Sequence, residues 1–388
     1  HGGMRGTPHR TRAGAPLRSS DDVHLLGVEQ SNSSVLVGNE YIAKLIRRLE
    51  VGPNPDVELV GYLSNSGFEH VPGLVATADV SIANEQQTAD VVVVHDAVPN
   101  EGDLWSWVLD ELALQIEHTG GLDPTYGSTG WLAELLGRRT AELHLALAES
   151  NEPDLAPQGF TLLWQRSLLQ TLRNGVRATQ RSLRRSRLDD PSAEHLMRPV
   201  DDVLARFDRL RTNKLDARRI RVHGDLHLGQ ILRAGNDVTF IDFEGEPGRP
   251  MGDRRILRSP LTDVGGLIRS LDYAGRSAVD TAIARGLVPP SDVGDLDAGR
   301  DRWTAATTAT MTRHFDTVAS SGLVRPTWTM PASSSTYVLQ KGLYEIRYEL
   351  SNRPDWVHRP CPPSPRMNRR DRGDHTARRR PPSKGAPA

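Results

Sequence analysis

The chain is 388 residues long, carries a formal charge of −1 at pH 7 and has one cysteine, Cys361. The near-neutral balance excludes the strongly basic signature of a polyanion-binding protein. A single cysteine excludes an intramolecular disulfide and fits a reducing compartment, and no apolar run approaches the ~20 residues of a membrane helix.

Residues 1–20, HGGMRGTPHRTRAGAPLRSS, are rich in Arg, Gly and Pro. They have neither apolar periodicity nor the apolar core of a secretory signal, so they are expected to be disordered and the protein cytoplasmic. From Val23 to Val98 the texture is β-like: VHLLGV, SVLVG and YIAKLI are short β-branched runs with turn punctuation. NPDVELVGYLSNSG then predicts a helix, with Asn54 as N-cap, Pro55 at the first position and Gly67 closing it. VPGLVATADVSI and ADVVVVHDAV predict two further strands, the second a continuous apolar run as in a buried central strand.

After Pro99 helices take over. LWSWVLDELALQI places Leu104, Val108 and Leu112 on one face, with Asp103 able to cap. WLAELLGRRTAELHLALAES, the Arg-rich stretch 160–215, SPLTDVGGLIRSLDYAGRSAVDTAIARG and residues 301–320 also predict helices. STYVLQKGLYEIRYELSNRPDW predicts a last amphipathic helix, stopped by Asn352 and Pro354. The expected organisation is a disordered segment 1–20, a small β-rich lobe 21–98, a helical lobe 99–360 and a disordered Pro/Arg-rich tail 361–388. That tail holds eight Lys plus Arg against two Asp, but no aromatic residue, so specific nucleic-acid binding is not expected.

The stretch 221–247, RVHGDLHLGQILRAGNDVTFIDFEGEP, carries the chemistry. QILR and VTFI predict two short strands joined by Ala-Gly-Asn-Asp, a hairpin that returns Asp242 to the loop bearing Asp225 and Gln230. Phosphoryl transfer needs such a set: one carboxylate orients the acceptor hydroxyl, while a second carboxylate and an amide oxygen hold Mg²⁺ against the phosphates. His223 and His227 are four apart, but the intervening Gly224 predicts a loop, so zinc is not expected and His223 is read as bonding the backbone or the metal loop.

HGDLHLGQ followed by IDFE resembles the catalytic and metal loops of the aminoglycoside-phosphotransferase-like, protein-kinase-like superfamily. With Gln230 five residues after Asp225, and with DFEGEP, RSPLTDVGGLIRSLDYA and YEIRYELSNRPDW, the chain resembles the maltokinases from about Val23 to Trp356. The resemblance implies an α+β, bilobal fold with a β-rich N-lobe and a large helical C-lobe. It implies ATP and Mg²⁺ as cofactors, maltose as acceptor at its anomeric hydroxyl, maltose 1-phosphate as product for glycogen-type α-glucan synthesis, and trehalose synthase as a partner. Asp225 would be the catalytic base; Gln230, Asp242 and Glu244 would ligate the metal. Lys44 would hold the α/β-phosphates with Glu58 as its ion-pair partner, and the hinge near Asp96 and Val98 would read adenine. Ser31–Ser34, Ser33 among them, stand where a glycine-rich loop would cover the nucleotide. Tyr344, Glu345, Tyr348 and Glu349 would meet the sugar, and Asp263 would hold the catalytic loop's amides. Members of the family carry an N-terminal cap region before these strands, which leads one to expect a truncated first lobe. Two other readings compete: a kinase of the same fold for an aminoglycoside, choline or homoserine, and an inactive remnant.

Overall fold

The computed structural model describes residues 4–9, 22–28, 32–82, 87–186, 194, 196–207, 217–320, 323 and 330–352. Ser31, Pro354, Trp356, Cys361 and the basic tail lie outside the described residues.

The first lobe is one antiparallel sheet of six strands. They are β1 (Met4–Pro8), β2 (Val23–Val28), β3 (Asn32–Val37), β4 (Tyr41–Ile46), β5 (Leu74–Ile82) and β6 (Gln87–Asp96), in the order β1-β5-β6-β4-β3-β2. β1 corrects the expectation of disorder over residues 1–20: Met4 pairs opposite Val80 and Pro8 opposite Ala76. Every side chain of β1 is exposed. The strand is held by backbone bonds alone, so it has no apolar alternation for a sequence reading to find.

Helix α1 (Pro55–Asn65) starts as its sequence dictates. The Asn54 side chain accepts the Asp56 N–H at 2.8 Å and Pro55 presets the first turn. Leu59, Val60 and Leu63 are buried with Val71 of the following connection and with Leu74 and Val93 of the sheet. The same apolar cluster continues into the helical lobe, so the two lobes share one core.

The second lobe contains α2 (Leu104–Thr119), α3 (Thr129–Ala148), the two-residue strand β7 (Gln158–Gly159), α4 (Leu162–Ser186) and α5 (Val200–Leu204). A second two-residue strand, β8 (Arg218–Arg219), precedes the hairpin of β9 (Ile231–Ala234) and β10 (Asp237–Phe240). The helices α6 (Met251–Arg254), α7 (Leu261–Ala284), α8 (Val293–Ala319) and α9 (Met330–Asn352) follow. The Asp103 side chain caps α2 through the Ser106 N–H at 2.9 Å. Among the described residues of the stretch 160–215, α4 spans Leu162–Ser186 and α5 only five residues, less helix than expected there.

Helix α9 presents three faces. Leu339, Leu343 and Ile346 are buried with Leu172, Val176 and Leu183 of α4. Glu345 and Glu349 turn to α7, while Tyr344 and Tyr348 line the interlobe cleft and Lys341 turns to Asp225. The spacing of three and four residues within each set is what a 3.6-residue helix requires.

α3 and α8 touch at backbone distance. A Cβ built on Gly137 would lie 2.2 Å from the Met311 carbonyl oxygen, a position no side chain can occupy without separating the helices. Gly137→Ala is expected to lower the unfolding free energy by about 1–3 kcal/mol or more through overpacking, read from urea denaturation.

Candidate active site

The β9–β10 hairpin does what its turn sequence predicts. Ile231 pairs with Phe240 and Ala234 with Asp237, and the Ile241 N–H donates to the Gln230 carbonyl at 3.0 Å. This closes Asp242 onto Gln230, whose Nε2 donates to Asp242 Oδ2 at 2.9 Å. Asp242 has φ of 64°, a left-handed conformation rare for a residue with a side chain and concentrated at functional sites. Gly224 has φ of 85°, and a Cβ there would meet Gly245 Cα at 3.4 Å. The catalytic and metal loops therefore cross at a point where only glycine fits well.

Lys44 is 6% exposed and reaches from β4 to three carboxylates. Its Nζ lies 2.6 Å from Asp242 Oδ1, 3.4 Å from Glu244 Oε1 and 3.6 Å from Asp56 Oδ2. Burial by itself would depress its pKa, but the attraction of the three carboxylates prevails and holds the ammonium well above its ordinary value.

Glu58 does not pair with Lys44. It is gripped instead by Arg221 at 3.1 Å and by Arg255 at 2.6 Å. The acid that serves Lys44 is Asp56, two residues earlier and 1% exposed, which also meets His95 Nε2 at 3.0 Å and accepts the Phe243 N–H at 3.0 Å. Residues two apart on a helix point in nearly opposite directions. PDVE offers both acids, and only the direction in which the helix docks chooses between them.

Asp263, at the start of α7, accepts the His223 N–H at 2.9 Å, the Gly224 N–H at 2.9 Å and a bond from His144 Nε2 at 2.9 Å. It fastens the catalytic loop by its backbone, as expected. His223 Nε2 meets the Ile241 carbonyl at 2.9 Å, tying the catalytic loop to the metal loop. Leu228 N–H donates to Ser270 of α7 at 3.1 Å, fixing the loop's far end.

Asp225 Oδ1 is 2.7 Å from Lys341 Nζ of α9. Lys341 also lies 3.0 Å from Glu246 Oε1 and 5.1 Å from the Tyr344 ring centroid. Burial would raise the Asp225 pKa, but Lys341 and His227 outweigh it, so the group is a carboxylate at neutral pH. Sequence reasoning missed both Lys341 and Glu246. The signal available was the Lys341, Tyr344, Tyr348 spacing on one helix face.

Two cavities flank this centre. One, of about 560 Å³, is lined by Lys44, Gln230 and Asp242 together with Asp96 and Val98, and by Leu36 and Ile42 of the sheet and Leu232 and Ile241 of the helical lobe. Apolar side chains from both lobes line this slot beside the charged Lys44, Asp56 and Asp242. At the hinge, Asn100 Nδ2 donates to the Val98 carbonyl at 2.8 Å and the Asp96 N–H to the Gly73 carbonyl at 2.9 Å. The other cavity, of about 720 Å³, is lined by Asp225, His227, Glu244, Arg254, Tyr344 and Tyr348.

Two further expectations are corrected. Ser33 lies on the strand β3, not in a loop, and it is Asn32 and Ser34 that line the two cavities. Alternate residues of a strand face opposite sides, which turns Ser33 away. Glu345 and Glu349 face α7: Glu345 accepts from Arg269 at 3.0 Å, and Glu349 from the Tyr273 hydroxyl at 3.3 Å. Of the four proposed sugar contacts, the tyrosines line the cleft with Asp225 and the glutamates do not.

Among the described residues there is no cluster of three or more His, Cys, Asp or Glu side chains arranged to grip a metal. The oxygen donors nevertheless fit a magnesium-type ion that takes few protein ligands. Asp56, Asp242 and Glu244 against Lys44 leave two negative charges in one buried place. The crowding shows at Glu244, whose pKa is raised by burial and by Asp242 and Asp56 despite Lys44. A half-turn of the Gln230 amide presents its oxygen beside Asp242.

The chain is similar to the glucosamine kinase of Mycolicibacterium smegmatis, 26% identical over 339 residues that cover 86% of this chain and 76% of that protein. It is 31% identical over 287 residues to the glucosamine kinase of Streptacidiphilus jiangxiensis, covering 70% of this chain but only 60% of that protein. Among solved structures, glucosamine kinase in complex with glucosamine, ADP and inorganic phosphate matches with a TM-score of 0.71 at 22% identity, covering 92% of this chain and 77% of that one. No protein-family profile matches the chain. The fold is thus the bilobal, protein-kinase-like α+β fold that the sequence led one to expect. Among the described residues no helix is long and apolar enough to cross a membrane.

The buried acids set a pH dependence. For Asp56 and Asp263 burial would raise the pKa, but Lys44 and His95 in the first case, and His144, His223 and the Gly224 amide in the second, bring both below the ordinary carboxylate value. A depressed folded-state pKa stabilises above the unfolded value of about 4 and is lost as pH falls through the folded value. Glu244, with its raised pKa, contributes with the opposite sign. Urea midpoints are therefore expected to drop below about pH 4. Asp263→Asn should lower the neutral-pH midpoint and flatten that acid limb; an unchanged limb would show that Asp263 is not responsible.

Proposed function

We propose that the chain is an ATP-dependent phosphotransferase whose acceptor is a sugar hydroxyl. The observation that carries this reading is the position of Asp225. It lines the larger cleft, while Lys44, Gln230 and Asp242 line the neighbouring cavity with its apolar slot. A nucleotide base in that slot directs its phosphates to Lys44 and Asp242, and an acceptor hydroxyl in the other cleft meets Asp225.

The roles follow from the chemistry. Lys44 neutralises phosphate oxygens, and Asp56 fixes Lys44 while itself being fixed by the Phe243 amide. Asp242, Gln230 and Glu244 would hold Mg²⁺, which supplies charge neutralisation on the phosphates. Asp225 accepts a hydrogen bond from the acceptor hydroxyl and orients it. Its depressed pKa makes it a weak base, which suits a loose transfer in which the proton leaves late and positioning dominates. Tyr344 and Tyr348, nearly parallel with centroids 6.4 Å apart, offer apolar faces against which sugar rings can stack.

For the acceptor, two lines of support differ. The run DFEGEP and the last helix resemble maltokinases, and the cleft lies in the size range of small-molecule pockets, which supports maltose giving maltose 1-phosphate. Two curated relatives are glucosamine kinases, which supports an amino sugar. Both readings use the same catalytic set.

ADP release from ATP–Mg²⁺ is the test, with maltose, glucosamine, glucose, choline and kanamycin as acceptors. Release with at least one sugar is expected, and Asp225→Asn should reduce kcat about 10²–10⁴-fold while ADP binding persists. Release with choline or kanamycin alone, or none from folded protein that binds ADP, would sink the sugar-kinase reading.

A further inference from the structure

We propose that Lys341 supplies the cation that neutralises the moving phosphoryl group on the acceptor side of Asp225, with Glu246 anchoring it between turnovers. This role rests on the phosphotransfer reading above.

In the transfer, the acceptor oxygen forms a bond to phosphorus as the bond from phosphorus to the ADP oxygen breaks. ADP leaves with that electron pair, and the hydroxyl proton passes to the Asp225 carboxylate. Negative charge spreads over the three peripheral phosphoryl oxygens as the group crosses between the two oxygens in line. On the nucleotide side that charge meets Lys44. On the acceptor side, the ammonium in direct contact with Asp225 is Lys341, at 2.7 Å. Any phosphoryl group close enough to receive a hydroxyl held by Asp225 comes within reach of it.

Three features distinguish Lys341 from a static tie. Its second partner, Glu246, is also paired with Arg249, so Lys341 can leave without stranding a buried carboxylate. An acceptor hydroxyl that donates to Asp225 competes with Lys341 for the same carboxylate, which loosens the ammonium before the proton moves. Beside Asp225, Glu246 and Lys341 lies a cavity of about 40 Å³, room for water to exchange with a shifting ammonium. Burial disfavours the charged form of Lys341, but Asp225 and Glu246 prevail, so it stays protonated throughout the working range.

The experiment compares Lys341→Met and Lys341→Arg with wild type for sugar phosphorylation, for ATP hydrolysis to water and for ADP–Mg²⁺ affinity. Gly137→Ala, which strains the α3–α8 contact without touching Asp225 or Lys341, is the structural control. Lys341→Met is expected to lower kcat about 10²–10³-fold. Acceptor KM and ADP affinity should move less than about threefold. The acid limb of its kcat–pH profile should shift to higher pH, because Asp225 has lost its cation. Arginine should recover part of kcat, and Gly137→Ala should lose melting temperature without that selective loss. A Lys341→Met enzyme within about threefold of wild-type kcat, or one whose defect is confined to KM, would overturn the proposal and leave the sugar-kinase reading standing. A wild type that binds ADP–Mg²⁺ yet turns over neither sugar nor water would overturn the phosphotransfer reading, and the role of Lys341 with it.

Discussion

A lysine ammonium buried among three carboxylates holds the active-site half of this molecule together. Lys44 arrives from the sheet, Asp56 from α1, and Asp242 and Glu244 from the loop beyond the hairpin. Taking such charges out of water is expensive unless each finds partners, so the cluster is stable only when both lobes are docked in one register. Asp56 is its keystone: besides Lys44 it engages His95 of β6 and the backbone of Phe243. Further interlobe bonds follow the same logic, with Asn32 donating to Glu244 at 2.7 Å and Glu50 taking the Met251 N–H at 2.8 Å.

The catalytic loop is fixed from the other side by α7. Asp263 takes two of its amides and Ser270 a third, so the loop is held by its backbone while the Asp225 carboxylate stays directed at the cleft. Helix α7 is in turn clamped to α9 through Arg269 and Glu345. That ion pair and the Tyr273–Glu349 bond brace the helix that carries Lys341 and the two tyrosines. The cleft that Asp225 lines takes Tyr344 and Tyr348 from the last helix, and the apolar slot beside it is walled by both lobes.

Much of this was legible in the sequence because it rests on short-range chemistry. The cap at Asn54, the cap at Asp103, the hairpin around Gly235-Asn236 and the approach of Gln230 to Asp242 are local events, dictated by a few neighbouring residues. The continuous apolar run of β6 marked a central strand, and the role of Asp263 followed from the resemblance to the kinase-like fold. β1 escaped because an exposed edge strand needs no apolar pattern. Ser33 was misplaced because a strand stands where a loop was expected, and strand parity turned it outward.

The sequence by itself determined the order of a β-rich lobe and a helical lobe and the hairpin that returns Asp242 to Gln230, since both rest on local periodicity and turn chemistry. It offered two acids in PDVE and five polar residues along one helix, with no means of choosing among them. Tertiary structure decided that Asp56 and not Glu58 serves Lys44, that Glu345 and Glu349 brace α7, and that Lys341 faces Asp225. The reason is physical: a helix fixes which residues share a face, but the direction of each face is set by the packing of α1 under the sheet and of α9 between α4 and α7.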